Sequence, residues 1–135
     1  MPPVYGMLED DAEIMDRLQQ IERILREVQS RIPDLEGLAV VTRDGLPIAS
    51  ALYTNTDEDR ISAMTAASLS LSERVVLELE RGIMEQLIIT GSNGLVIIRD
   101  AGEHAVLVGI ARVDAKLGLV LLDMKRAAKK LSSMI

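Results

Sequence analysis

Three short apolar segments in the second half of the chain constrain the fold more than any other feature. Residues 84–90, 95–99 and 104–111 are separated only by Gly-Ser-Asn-Gly and Asp-Ala-Gly-Glu, which are rich in residue types that favour tight turns. Strands joined by such short turns pair antiparallel with one another. The runs LVII and AVLVGIA are apolar on both faces, which is typical of central strands that are covered on both sides. The sequence therefore predicts a meander whose sheet has helices packed on both faces.

A predicted β-hairpin precedes this meander. The apolar segment GLAVVT is followed by Asp44-Gly45, a pair typical of two-residue primed turns, and then by a returning strand at residues 46–51. Pro47 cannot donate a hydrogen bond to a neighbouring strand, so we expect the returning strand at one edge of the sheet. The strand at residues 84–90 contains no proline and is the candidate for the opposite edge, where it is open to pairing with another chain.

The first of three predicted helices precedes the hairpin. It is expected to begin at Asp10, where Glu13 completes a capping box, because apolar residues then recur at steps of three or four. It is expected to end before Pro33, which cannot donate the helical hydrogen bond. Residues 1–9 are predicted to be a flexible N-terminal tail, and residues 10–135 to form one domain.

Two further helices complete the predicted fold. The middle helix has Thr56 or Asp57 as its expected N-cap and runs to about Arg81, just before Gly82. The last helix has Asp114 as its expected N-cap and carries one apolar stripe. The predicted order is α-β-β-α-β-β-β-α, an α+β domain with a single five-stranded, mostly antiparallel sheet and helices on both faces.

The last turns of the final helix are crowded with positive charge, from Lys125, Arg126, Lys129 and Lys130. Cations suit the C-terminal end of a helix dipole, and a solvated helix end is the interpretation we adopt for this cluster. An interaction patch is the alternative.

The residue types needed for catalysis are scarce. The chain has no cysteine, and His104 is its single histidine, with no partner at a spacing typical of a metal site or a general base. The sequence lacks a phosphate-binding glycine loop and a nucleophile elbow. The acidic segments EDDAE and DEDR stand where helices begin, so capping explains them better than a cation site. We expect no active site of its own, no cofactor and no metal.

Composition also restricts the partners. Aromatic residues make up 1% of the chain and the net charge is −6, which disfavours both base stacking and phosphate backbones. No apolar run reaches the ~18 residues of a membrane span, and no signal peptide is recognisable at the start. We therefore predict a cytoplasmic protein without nucleic-acid binding or membrane insertion.

The segment ISAMTAASLSLS, residues 61–72 of the middle helix, carries no charge in a chain that is 27% charged. On a helical wheel Met64, Leu71 and Val75 fall on one half with Leu69, and we expect this half to cover the sheet. The other half is small and uncharged, so we expect the same helix of a second copy to cover it, as in a two-fold dimer. The predicted interface comprises Ala63, Ala66, Ala67, Ser70, Arg74 and Leu77 of the helix and Glu85, Leu87 and Ile89 of the edge strand. The alternative is an exposed face of good helix formers that has no partner.

These elements together resemble the roadblock family, also called the dynein light chain roadblock type. GLAVVTRDGLPIAS resembles the first hairpin of that family, LIITGSNGLVIIRDAGEHAVLVGIA its meander, and AKLGLVLLDMKRAAKKL its closing helix. The resemblance extends over residues 10–133, and the stand-alone length resembles a bacterial or archaeal member. It implies a homodimer that pairs through the meander's first strand and the long middle helix.

The resemblance also implies a function. Members of the family act as platforms for small Ras-like GTPases, for dynein or in larger scaffolds, and some bacterial members stimulate GTP hydrolysis by a partner. We therefore expect a homodimeric platform that binds and regulates a small Ras-like GTPase, with Arg60 or Arg74 as candidates to supply charge to the transition state. Two alternatives are a structural scaffold without effect on nucleotide turnover and a small-molecule sensor domain.

Overall fold

The structure is a computed structural model that describes the backbone of residues 2–52 and 56–135 and the side chains of residues 11–52 and 56–135. Its elements in chain order are α1 (Pro2–Arg31), β1 (Leu35–Thr42), β2 (Pro47–Leu52), α2 (Glu58–Glu78), β3 (Leu87–Gly91), β4 (Gly94–Asp100), β5 (Ala105–Arg112) and α3 (Leu117–Ser132). The predicted α+β fold and its order of elements are confirmed.

The five strands form one sheet in the order β2-β1-β5-β4-β3, and every neighbouring pair is antiparallel. Pro47 begins β2, which lies at one edge, while β3 lies at the other edge, as the proline pattern predicts. The meander and the hairpin therefore meet at the centre, where β5 pairs with β1.

Two apolar cores flank the sheet. The larger one joins α1 and α3 to the sheet through fully buried side chains such as Leu25, Leu107 and Met124. The smaller one lies under α2 and consists of Leu69 packed on Val41, Ile98 and other strand residues. The absence of a side chain at Gly109 lets α3 approach closely, because a Cβ there would lie 2.7 Å from Met124 Sδ.

The turn of the first hairpin differs from the prediction. Gly45 N donates to Thr42 O (3.0 Å) and Thr42 N donates to Leu46 O (2.8 Å), so three residues form the loop instead of the two in a primed turn. Only Gly45, at φ 95°, has the left-handed conformation, which is typical of a three-residue hairpin loop closed by a glycine.

Two predicted helix starts are wrong. Helix α1 begins at Pro2 instead of Asp10, because proline is favoured in the first turn of a helix and no later residue interrupts the backbone. The side chains of residues 1–10 lie outside the described residues, and the separation of a tail at residues 1–9 from the domain stays a prediction. The N-cap of α3 is Lys116 instead of Asp114, and its amide donates to Asp34 Oδ2 (3.0 Å).

The end of α2 also differs from the prediction. Asp57 is the N-cap, as expected, but the helix ends at Glu78 and not near Arg81. Glu80 takes the left-handed conformation at φ 55°, and the amides of Glu80 and Arg81 donate to Leu77 O and Val76 O. This is the pattern of a Schellman motif, so Glu80 occupies the position expected for a glycine. The unpaired stretch that follows makes β3 begin at Leu87 instead of residue 84.

Candidate interaction surface

Helix α2 presents a different face to the sheet from the one predicted. Its buried residues are Ser62, Thr65 and Leu69, of which only Leu69 is large and apolar. Met64, Leu71 and Val75 were expected to cover the sheet, but they are 55%, 65% and 49% exposed. The prediction of the sheet-facing half is therefore wrong, and the outward half is more apolar than the sequence analysis indicated.

Small side chains under α2 explain this orientation. Ser62 Oγ donates to the carbonyl of Glu58 (2.7 Å), which satisfies a buried hydroxyl without any partner on the sheet. The sheet side of this core is already filled by branched residues such as Val41 and Ile98. Short side chains let the helix lie close to this surface, whereas a row of Met and Leu would hold it farther away.

The β1–β2 turn covers one flank of α2. A Cβ on Gly45 would lie 3.5 Å from Ala66 Cβ and 3.3 Å from Ala63 Cα, so the turn packs directly on the helix at these alanines. Met64, Leu71 and Val75 lie on the other flank, because the helix turns by ~100° per residue. That flank faces away from the hairpin turn.

The edge strand β3 adds apolar groups on the same side of the sheet. Leu87 pairs with Ile98 and packs against the core under α2, so Leu87 and Ile89 both point to the side on which α2 lies. Ile89 is 43% exposed. Within the described residues no strand pairs with the outer edge of β3. We call this combination the α2–β3 surface, made of the outward half of α2 and the free edge of β3.

The residues predicted for the interface all lie on or beside the α2–β3 surface. Ala66 and Leu87 are half-buried, by the hairpin turn and by the core under α2 respectively. Arg74 pairs with Glu78 at 3.4 Å, and both side chains are largely exposed. The exposed members are Ala63, Ala67, Ser70, Arg74, Leu77, Glu85 and Ile89. Whether they touch a partner stays a prediction.

Sequence reasoning missed the largest apolar groups of this surface. Besides Met64, Leu71 and Val75, the C-cap Leu79 and the loop residue Ile83 are 63% and 90% exposed. The signal was present, since the apolar arc of α2 that includes Leu69 is wider than the sheet needs. The wheel alone does not say which part of this arc faces the sheet.

A charged cluster borders the surface where α2 passes the turns of the sheet. Arg43 Nη1 donates to Glu73 Oε1 (2.9 Å), its Nη2 pairs with Asp100 Oδ1, and its Nε donates to Glu103 O. Partial burial raises the pKa of Asp100 above its ordinary value, although Arg43 opposes this shift. The cluster fastens α2 to the loops after β1 and β4, so it positions the surface.

His104 takes part in no such cluster. Its backbone carbonyl accepts a hydrogen bond from Arg43 N (3.3 Å). Among the residues described, no three His, Asp or Glu side chains are grouped closely enough to hold a metal ion. Among the described helices, none has both the length and the apolar character that a membrane span requires.

Comparison with known proteins identifies the family. The profile of the Roadblock/LC7 domain matches residues 21–111. The uncharacterized protein MJ1340 of Methanocaldococcus jannaschii is 38% identical over 114 residues, which cover 84% of this chain and 98% of that protein. The chain belongs to the Roadblock/LC7 domain family.

Solved structures agree with this assignment at the level of the fold. An MglB structure with a tetrameric arrangement superposes with a TM-score of 0.80 at 21% identity, covering 87% of this roadblock chain and 89% of that one. The Roadblock/LC7 domain from Streptomyces avermitilis superposes with a TM-score of 0.76 at 17% identity, covering 82% and 92%. The resemblance seen in the sequence is therefore confirmed.

Proposed function

We propose that this protein is a self-associating platform that binds a small Ras-like GTPase and regulates its nucleotide cycle. The observation that carries the proposal is the outward half of α2, which is uncharged over residues 61–72 and exposes Met64, Leu71 and Leu77. A contiguous exposed patch of this kind is typical of a protein–protein interface.

Self-association accounts for both parts of the α2–β3 surface. Burial of its apolar area would contribute roughly 25 cal/mol per Å². The small side chains of Ala63, Ala67 and Ser70 allow two helices to approach closely around a two-fold axis. The same axis would let the free edges of two β3 strands pair, which would remove an edge open to aggregation. The tetrameric arrangement of one MglB structure supports self-association by a domain of this fold.

The family resemblance supports a GTPase as the further partner. Roadblock proteins are regulatory binding proteins, so the chemistry of hydrolysis would come from the partner's own active site. A platform of this kind acts by ordering or displacing the switch segments of the GTPase. Arg74 projects from the outward half of α2 and Arg60 stands exposed in its first turn, so either guanidinium can reach a docked protein.

The self-association part is tested by Ala67→Arg. An arginine at this exposed position would place a charge inside a close helix contact, so the mass measured by light scattering should fall to that of the monomer. Ser30→Arg is the matched control, because it adds the same side chain to an exposed site of α1 on the other side of the sheet. An unchanged mass for Ala67→Arg would remove the α2–β3 surface as the dimer interface.

The regulatory part is tested with a small GTPase captured from the source organism. Its single-turnover GTP hydrolysis should change several-fold when this protein is added, and Ala67→Arg should abolish the change. Loss of the effect in Arg74→Ala or Arg60→Ala, with binding retained, would assign that arginine to catalysis. Binding without any change in turnover would show a scaffold instead of a regulator.

Native mass spectrometry distinguishes a small-molecule sensor from a GTPase platform. A groove of ≈ 670 Å³ lies between α1 and β2 and is lined by Glu22, Arg26 and Glu58 among others. A ligand retained by the purified protein would support the sensor and count against the GTPase platform, whereas an unliganded mass with GTPase binding would favour the platform.

A further inference from the structure

We propose that this protein has a second self-docking surface on the side of the sheet opposite to α2. In this contact, residues 11–18 of α1 in one copy pack along the outer face of α3 in another copy. The two contributing segments are residues 11–18, which we call the α1 extension, and residues 119–130, which we call the α3 outer face.

The α1 extension projects past the end of α3. The two helices run antiparallel, because Val28 and Arg31 share a groove with Asp123 and Arg126 in the middle of α3. Arg17 and Gln20 of α1, in contrast, share a groove with residues 133–135, which follow α3. The earlier part of the extension therefore lies beyond α3, and every residue from 11 to 20 is exposed.

The extension continues the apolar stripe that anchors α1 to the domain. Ile14 and Leu18 precede the buried residues Ile21, Leu25 and Val28 at alternating steps of four and three, so they point in the same direction as that core. Ile14 and Leu18 are nevertheless 57% and 36% exposed, and the neighbouring Met15 is 60% exposed. The exposed start of the stripe is therefore available to a partner, because the described part of the chain leaves it uncovered.

The charges beside the exposed start of this stripe are acidic, and Arg17, the basic residue at its edge, lies in the groove with residues 133–135. Asp11 and Glu13 lie on the two sides of the stripe, and neither forms an ion pair with any other described side chain. Asp16 lies on the opposite side of the helix, where it accepts a hydrogen bond from Gln20 Nε2 (3.1 Å).

The α3 outer face has the complementary character. Leu119 and Leu122 are 57% and 43% exposed, and the basic residues follow them towards the end of the helix. Arg126 approaches Asp123 at 3.9 Å, whereas Lys125 and Lys129 form no ion pair within the described part of the chain. Lysine stems can cover apolar side chains while their amino groups meet carboxylates, so this face suits an acidic amphipathic helix.

Charge and geometry together select a second copy's α3 as the occupant. Two α1 extensions packed on each other would offer Asp11 and Glu13 of each copy no basic residue except Arg17, whereas the α3 outer face offers four: Lys125, Arg126, Lys129 and Lys130. The chain's own Arg126 shares a groove with Val28, which lies about 25 Å along α1 from Asp11 at ~1.5 Å per residue. Reciprocal docking around a two-fold axis satisfies both extensions and closes the assembly.

This contact is independent of the proposed function. Helix α2 lies on the other side of the sheet, so the two interfaces do not compete. The α1 extension and the α3 outer face both lie outside residues 21–111, the span that matches the family profile. A chain with both interfaces would form an assembly larger than a dimer, and a chain with only this one would form a dimer.

The experiment exchanges the charges of the two surfaces. One variant carries Asp11→Lys with Glu13→Lys, and the other carries Lys125→Glu with Lys129→Glu. Each variant alone should require about tenfold higher concentration to associate through this contact, because both reciprocal contacts become repulsive. An equimolar mixture should recover the association, since each mutated extension then meets an oppositely charged α3. Sedimentation in the Ala67→Arg background measures this contact alone.

Two controls keep the result interpretable. Asp16→Lys makes the same charge change on the opposite side of the extension and should leave the mass unchanged. Circular dichroism checks that the variants fold, and Lys125→Gln with Lys129→Gln replaces the reversal if it unfolds α3. In the unmutated chain, carbodiimide should link Asp11 or Glu13 to Lys125 or Lys129 between isotopically labelled and unlabelled copies.

The outcomes separate the two interfaces. Loss of association in each variant with recovery in the mixture supports the proposal, whether or not Ala67→Arg has an effect of its own. If none of the four charge reversals changes the association, the proposal is overturned. A mass that responds to the extension variant but not to the α3 variant, or cross-links only within one copy, overturns it as well.

Discussion

Helices α2 and α3 cover opposite faces of one sheet, yet they use their apolar residues in opposite ways. Helix α3 turns most of its apolar side chains inward, and its buried residues are Val120, Met124, Ala127, Ala128 and Leu131. Helix α2 buries one large apolar side chain, Leu69, and leaves Met64, Leu71 and Leu77 exposed. The apolar content of a helix therefore does not say how strongly it is held to its own sheet. In α2 most of that content is available to a partner.

The two sheet faces explain the contrast. On the α3 side, Gly109 leaves space that Met124 fills, so a large side chain is needed for close packing. On the α2 side, branched strand residues such as Val106 and Val108 already fill the surface. Small residues then give the closest approach, which sends the large residues of α2 to the outside.

The largest difference is expected between two matched truncations. Met124→Ala should lower the free energy of unfolding by about 2–5 kcal/mol, because it leaves a cavity in the larger core. Leu71→Ala removes a similar side chain that is 65% exposed, and should cost about 0.5 kcal/mol or less. Urea denaturation of both variants in the Ala67→Arg background keeps self-association out of the measurement. Equal losses would mean that α2 is anchored through Leu71 after all.

A second pair tests the need for small residues under α2. Ser62→Leu should lower the free energy of unfolding by about 1–3 kcal/mol, since it overpacks a site that is 1% exposed. Ser70→Leu adds the same side chain on the outward half and should stay within about 0.5 kcal/mol of the parent. Thermal unfolding followed by circular dichroism is sufficient. Tolerance of leucine at residue 62 would show that the helix can move away from the sheet without loss.

The order of elements and both sheet edges could be predicted because they depend on local signals. Turn residues, apolar runs and Pro47 each act over a few positions, and the sheet follows from them. The orientation of α2 could not be predicted in the same way, because its apolar arc is wider than the sheet needs and the part that is buried depends on strand residues far along the chain. For this reason the predicted interface included Ala66, which the hairpin turn half covers, and omitted Met64 and Leu71.

The caps show the same limit on a smaller scale. The N-cap of α2 could be predicted because Asp57 directly precedes that helix in the sequence. Asp34 caps α3 from the loop before β1, a pairing that exists only once the sheet has brought residues 34 and 116 together. The positive φ of Glu80 is likewise invisible in the sequence, since Gly82 nearby is the better candidate by residue type.

Removal of the side-chain cap of α3 is expected to have an intermediate effect on stability. Asp34→Ala should lower the free energy of unfolding by about 1 kcal/mol, because the amide of Lys116 loses its side-chain acceptor. Asp114→Ala is the matched control: its carboxylate pairs only with Arg112 in the described structure, at 3.0 Å on the surface, and should contribute less. Denaturant titration of both compares them directly. A larger loss from Asp114→Ala would restore the cap expected from the sequence.

The smallest effect is expected at Asp100, which links α2 to the rest of the molecule through Arg43. Burial raises the pKa of this carboxyl above its ordinary 3.8, against the opposing attraction of Arg43. The folded state therefore holds the proton more tightly than the unfolded chain, and the stability due to protonation is present below pH 3.8 and is lost as pH rises through the folded-state pKa. Asp100→Asn removes this titration while keeping the side chain's size. As pH rises above 3.8, the parent should lose stability relative to Asp100→Asn, as measured by paired denaturation curves. If the parent instead gained stability relative to Asp100→Asn as pH rises, the attraction of Arg43 would outweigh burial. The charged cluster would then hold α2 in place more strongly than the small core beneath it.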